Sequence, residues 1–210
     1  ISSAGFYASF DPSSAGLRQI ATRHDARAKT ASESIGSTII ALTDRSDLNQ
    51  MEDLRKKRLV TRDIDSLSGW LGAKGKLADR ISAKEDQPHL FSTKYSYPDV
   101  YSYLLSGEAD AAVIPTCELE NISNARLFKV IDEEKTSLSC KSSSPLYPDF
   151  VFSSFPDASP EVVKNFTVSL LTMPKMPDGA SWGIAKAVNK LTKPQTSNHH
   201  TKLRALKLKI

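Results

Sequence analysis

The chain has 210 residues, 40% hydrophobic and 25% charged, with 28 Lys+Arg against 24 Asp+Glu for a formal charge of +4. This supports a folded core and excludes the low-hydrophobicity, high-charge pattern of a disordered chain. Four surplus charges do not make a nucleic-acid face, and Arg55-Lys56-Lys57-Arg58 and the Lys202–Lys209 stretch read as solvated turns and helix edges. No apolar run approaches the roughly 20 residues that span a bilayer. Cys117 and Cys140, the two cysteines, allow one bridge but lack the partners of a zinc site.

In chain order, Ser37–Thr43 is β-branched and apolar and predicts a strand ending in the polar turn Asp44–Asp47. Asp47 is placed to cap a short helix over Leu48–Leu54, with Met51 and Leu54 on one face. Arg58–Thr61 reads as a strand, Asp63–Gly69 as a turn and Trp70–Ile81 as a helix, a unit that builds parallel α/β sheets. The unit recurs as a strand at His89–Thr93 and a helix entered at Pro98 and ended by Gly107. Ala111–Ile114 is wholly apolar, as expected of a strand covered on both faces. A helix start at Cys117–Glu120, a strand at Leu127–Ile131 and a Ser-rich segment at Lys135–Ser144 follow.

Tyr147–Ser153 predicts another strand. Pro160–Met173 predicts a helix with Ser159 as cap and Val163, Phe166, Leu170 and Leu171 facing inward. Pro174, Pro177 and Gly179 break the chain before an expected helix carrying Trp182, Ile184 and Val188. The tail from Lys193 to Ile210 is polar, then basic, with Leu203, Leu206 and Leu208 able to dock.

The expected fold class is α/β in two lobes. Lobe two is residues 47–130, and the flanking segments 1–46 and 131–210, each too small to bury a core alone, form a discontinuous lobe one. Two crossings describe a hinge, and a hinge is expected beneath a ligand cleft.

Four stretches carry a family resemblance: Ile39–Asp44, Asp53-Leu54-Arg55-Lys56-Lys57-Arg58-Leu59, Asp65-Ser66-Leu67-Ser68-Gly69, and Leu105-Ser106-Gly107-Glu108-Ala109-Asp110-Ala111-Ala112. In this order the sequence resembles phosphate/phosphonate-binding periplasmic solute-binding proteins of the type 2 fold. Pro115–Glu120, Cys140 with Leu146–Phe150, and Leu170–Pro174 followed by Trp182 narrow the resemblance to the periplasmic sensor part of tetrathionate-sensor-type histidine kinases. The resemblance implies a strand-helix-strand stretch ahead of Ile1, so lobe one is expected to be incomplete at its N-terminus. It also implies continuation past Ile210 into a membrane helix and a kinase, tethering the domain to the inner membrane.

Ser66-Leu67-Ser68-Gly69 suits an anion: hydroxyls and unpaired N–H groups at a helix start, a favourable dipole, and a glycine that permits close approach. The alternative is that Ser66 is only an N-cap. Ser2 and Ser3 have similar character on the opposite lobe, while Tyr95, Ser96 and Tyr97, and with them Tyr147, sit where the resemblance puts cleft residues, although polar-aromatic turns more often lie on the surface. Thr116 and Cys117 stand where aminophosphonate binders use acidic residues, which argues against a ligand amine. Cys117 and Cys140 form either a structural disulfide, the preferred reading, or a redox-active pair whose Cys117 thiol is activated at a helix start.

The four histidines show no metal-ligand spacing and no nucleophile–base set is visible, so neither a metal, a cofactor nor catalysis is expected. The function expected is periplasmic sensing of a small oxyanion for a histidine kinase in the same polypeptide, with a homodimer formed through that kinase. The alternative is the solute-binding component of a phosphonate or oxyanion ABC transporter, with its permease as partner.

Overall fold

The computed structural model describes residues 1–3, 17–93 and 96–184. Its strands are β1 (Ser2–Ser3), β2 (Arg18–His24), β3 (Ser37–Leu42), β4 (Arg58–Thr61), β5 (His89–Ser92), β6 (Ala111–Pro115), β7 (Phe128–Val130), β8 (Phe150–Ser154) and β9 (Ser181–Gly183). Its α-helices are α1 (Gly72–Arg80), α2 (Tyr97–Leu105) and α3 (Pro160–Thr172). The chain divides into two compact units, Gly36–Pro145 and the flanking Ile1–Ile35 with Leu146–Ile210. Among the described residues no helix is long and apolar enough to cross a membrane.

The unit Gly36–Pro145 holds a five-stranded sheet in the order β5-β4-β6-β3-β7, with β4 parallel to β5 and β6, and β3 antiparallel to β6 and β7. Side chains alternate across the pleat. Ile39, Leu59, Ala111 and Val113 pack on one face with Trp70, Ala73 and Leu77, while Ile40, Val60, Ala112 and Ile114 pack on the other with Val100 and Leu104. Coverage of both faces accounts for the unbroken apolar run of β6. The division at 35/36 and 145/146 lies outside the expected boundaries at 46 and 131, because β3 is hydrogen-bonded between β6 and β7 and belongs to this sheet.

Several local expectations are corrected. Asp47 caps no helix: its carboxylate pairs with Arg45 (2.8 Å) and Lys57 (3.1 Å), and the short 3-10 turn Met51–Leu54 is entered at Gln50. No helix begins at Cys117, whose φ of 72° stops the chain from winding. Only the 3-10 turn Leu119–Asn121 forms there.

In the second unit, β1-β8-β2-β9 form an antiparallel sheet. Trp182 lies in β9 opposite Arg23 rather than in a helix. Gly179 turns at φ 79°, Ala180 N donates to Asp178 Oδ1 (3.0 Å), and the chain then pairs with the edge of β2. Val188 and the tail lie outside the described residues. Helix α3 starts at Pro160 as expected, but Ser159 makes no side-chain cap bond. Leu170 is buried, whereas Phe166 and Leu171 remain exposed despite the inward positions expected for them.

Candidate functional site

Because β4, β5 and β6 are parallel, their carboxyl ends Thr61, Ser92 and Pro115 share one edge of the sheet, the edge where α/β sheets commonly receive ligands. β3 runs the other way and brings Ser37 to the same edge, opposite Pro115. The expected contacts Ser66, Leu67, Ser68, Gly69, Thr116 and Cys117 are in segments that leave this edge. Ser96 joins them as the cap of α2, where Asp99 Oδ2 accepts from both Ser96 N (3.0 Å) and Oγ (2.7 Å).

The turn after β4 is fixed from several sides. Ser66 Oγ accepts from Gly69 N (3.1 Å), so Ser66 is a true cap, and it also lies 3.2 Å from Ser68 Oγ. The chain winds through one π-helical turn, Leu67–Leu71, before α1. The Leu67 carbonyl accepts from Ser37 Oγ (3.2 Å) and the Gly69 carbonyl from Thr61 Oγ1 (2.8 Å). A Cβ at Gly69 would stand 2.9 Å from the Asp63 carbonyl oxygen, so the turn requires glycine. Leu67 and Gly69 are buried, while Ser66 and Ser68 are half-buried. The first-turn N–H groups of Leu67 and Ser68 have no intrahelical acceptor.

Linked to this turn through Ser37 is a set of hydroxyls in the segment expected only to be a Ser-rich crossing. Ser142, Ser143 and Ser144 are fully buried. Ser143 Oγ accepts from Ile39 N (2.9 Å) and donates to the Ile131 carbonyl (2.7 Å), and Ser144 Oγ accepts from Ser37 N (2.8 Å). Ser142 Oγ lies 3.1 Å from Thr116 Oγ1. Gly36 closes the group, since a Cβ there would meet Ser142 Oγ and Thr116 Oγ1, each at 2.9 Å.

Cys117 and Cys140 are joined in a disulfide, so no thiol stands at this edge, and Cys117 is 3% exposed. Thr116 is likewise buried, its hydroxyl engaged within the cluster. On the solvent side, the Arg62 guanidinium lies 4.8 Å from the centre of the Tyr97 ring. Burial pushes the Tyr97 phenol up to about 12, with Arg62 opposing and Glu118 and Asp63 adding to the rise. Burial also raises Tyr101, whose hydroxyl lies 3.5 Å from Glu118 Oε1. Both phenols are therefore neutral donors at ordinary pH.

The remaining expected contacts belong to the second unit or lie outside the described residues. Ser2 and Ser3 form β1 of the second unit, paired with Val151 and Phe150. Tyr147, also in that unit, bridges Ile35: Tyr147 N donates to the Ile35 carbonyl at 2.7 Å. Tyr95 lies outside the described residues. Arg62 and Thr93, which no motif in the sequence singles out, also stand at this edge: Arg62 directly follows β4, and Thr93, expected as the last residue of a strand, falls just past the end of β5.

The family model described as ABC transporter, phosphonate, periplasmic substrate-binding protein matches residues 8–190. The tetrathionate sensor histidine kinase TtrS of Salmonella typhimurium is 32% identical over 169 residues, which cover 77% of this chain and 28% of that relative. The chain thus spans well under half of the relative's length. Among solved structures, XAC2383 from Xanthomonas citri bound to chloride ion superposes with a TM-score of 0.67 at 13% identity, over 95% of this chain and 76% of that one. The same protein bound to ATP gives 0.63 at 12% identity, over 88% and 71%. At these identities the likeness shows the fold, a two-lobed α/β architecture in agreement with the type 2 class expected.

Proposed function

This chain belongs to the phosphonate family of ABC-transporter periplasmic substrate-binding proteins, and from that membership we propose that it is a non-catalytic periplasmic domain that senses a small oxyanion for a histidine kinase. The observation that carries the reading is the Ser66–Gly69 turn. Its hydroxyls and first-turn N–H groups lie at the positive end of a helix, and its carbonyls are drawn back by Ser37 and Thr61. Donors fixed in this way lose little freedom when an anion arrives. Ser66, Ser68 and the backbone of Leu67 and Gly69 are the proposed contacts, with Ser96 flanking them. Thr116 and Cys117 act from beneath by fixing the shape of the edge.

The name of the relative in Salmonella typhimurium supports sensing and makes a sulfur oxyanion the first ligand to try. The kinase partner would be a module of the same polypeptide, anchored at the inner membrane and dimeric through that module. The family's own description favours a second reading, delivery of a phosphonate to an ABC transporter permease.

Thermal denaturation in tetrathionate, thiosulfate, sulfate and methylphosphonate tests both. An anion present at 100 times its Kd stabilises the folded state by about 2.7 kcal/mol, a readily measured rise in Tm. A rise with tetrathionate or thiosulfate supports sensing, and a rise with methylphosphonate alone supports transport. Four flat curves overturn the oxyanion reading.

A further inference from the structure

The Ser66–Gly69 turn supplies hydroxyls, N–H groups and a partial dipole, but no full positive charge. Arg62 is one residue beyond β4, and its backbone is held by Ser92 Oγ, which donates to its carbonyl at 2.7 Å. Its guanidinium is exposed and stacked against the Tyr97 ring. Among the described residues it forms no ion pair, unlike Arg23, Arg45 and Arg58; Arg18, Arg55 and Arg126 share that state, but Arg62 is the one set over an aromatic ring among the described contacts. Asp63 and Glu118 are near enough to act on the Tyr97 phenol, yet neither closes on the arginine.

The neighbouring strand end carries a second uncommitted group. Thr93 N donates to the Thr61 carbonyl (3.0 Å), which places Thr93 beside the start of the Arg62 turn. The residue is 8% exposed, and its Oγ1, itself shielded from solvent, has no hydrogen-bond partner among the described residues. Leaving a buried hydroxyl unsatisfied costs about 1–3 kcal/mol, so a valine would serve the fold better unless the hydroxyl has another use.

Resting on the oxyanion reading, we propose that Arg62, held on the Tyr97 ring, is the charge-supplying and specificity-determining contact for the ligand, and that Thr93, whose hydroxyl is shielded before the ligand arrives, turns to donate a second hydrogen bond to it. The pair selects ligands that end in a sulfonate-like or phosphonate group. A planar guanidinium presents two parallel N–H donors that match two oxygens of such a group. The aromatic ring restricts the side chain before the ligand arrives, which lowers the entropy lost on binding. Sulfur and phosphorus oxyanions offer the same oxygen face, and the choice of probe separates them.

The test is calorimetric titration of the full chain and of Arg62→Ala, Arg62→Lys and Thr93→Val with tetrathionate, thiosulfate, sulfate and methylphosphonate, at low and high salt. Arg62→Ala should weaken the anion that binds by about tenfold or more, flatten the salt dependence and leave the anion-free Tm unchanged. Arg62→Lys should recover part of the affinity, because charge returns without the planar fork. Thr93→Val should weaken the same anion about threefold while holding or raising the anion-free Tm, a split that a merely structural threonine would not give. Parent affinity in Arg62→Ala overturns the arginine's role, and parent affinity in Thr93→Val overturns the pairing, while the oxyanion reading stands in both cases. If no probe binds the unaltered protein, the oxyanion reading fails and takes this proposal with it.

Discussion

In the segment Ser142–Ser144 every side chain is fully buried and every hydroxyl is bonded inside the fold; in the turn Ser66–Ser68 both serines are half-buried, and among the described residues the Ser68 hydroxyl meets only that of Ser66. The two stretches serve the same sheet edge with the same chemistry. They differ in what the backbone nearby requires. β7 pairs with β3 only from Ile40 to Leu42, so Ser37 and Ile39 lose their strand neighbour on that side. Ser143 and Ser144 supply it with hydroxyls, and Ser143 N adds a bond to the Ser37 carbonyl at 2.9 Å. At Ser66 the helix start makes one such demand, the N–H of Gly69, and the hydroxyl's other described partner is the half-buried Ser68. Hydroxyl density alone therefore does not mark a binding site.

The largest expected effect comes from cutting the Ser142–Ser144 scaffold loose at its covalent anchor. The disulfide joins the loop after β6 to Cys140, two residues before Ser142, over a separation of 23 residues. Replacing both cysteines with alanine should cost about 2–4 kcal/mol, chiefly because the unfolded chain regains freedom. Chemical denaturation measures this. Retained stability with lost anion binding would instead favour a redox role for the pair and break the assignment of this segment to scaffolding.

Ser143→Ala comes next. It removes the acceptor for Ile39 N and the donor for the Ile131 carbonyl, both in the interior, and should cost about 1–3 kcal/mol. Anion affinity, measured well below the new Tm, should stay at the parent value. A shifted affinity with unchanged stability would erase the distinction between the two serine stretches.

How much of this was legible in sequence follows from the range of the interactions. The strands of the five-stranded sheet were visible because β-branched and apolar runs carry their own signal, and the Ser66 cap was visible because its partner is three residues away. The scaffold role of Ser143 was hidden, since its partner Ile39 is 104 residues distant and a Ser-rich run reads locally as a loop. Trp182 departs from its expected helix for a related reason: its local spacing is helical, but the open edge of β2 offers a strand partner. Arg62 gave no signal by residue type, because its distinction lies in the Tyr97 ring beneath its guanidinium, a contact made by a residue distant in sequence.

The smallest effects on stability test the binding half of the comparison most directly. Ser66→Ala removes the cap on Gly69 N and should cost about 1 kcal/mol, which mixes a folding effect into any loss of affinity. Ser68→Ala avoids that mixture. Its hydroxyl supports no backbone group among the described bonds, so the change should move stability by no more than about 0.5 kcal/mol. If Ser68 donates to a bound oxyanion, losing that charge-assisted bond should weaken binding by about 1.5–3 kcal/mol, or roughly 10- to 150-fold. Calorimetry and thermal melts on the same preparation separate the two quantities. Unaltered affinity in Ser68→Ala would show that the turn, like Ser142–Ser144, uses its hydroxyls for the fold, and the ligand would then have to be sought away from the Ser66 helix start.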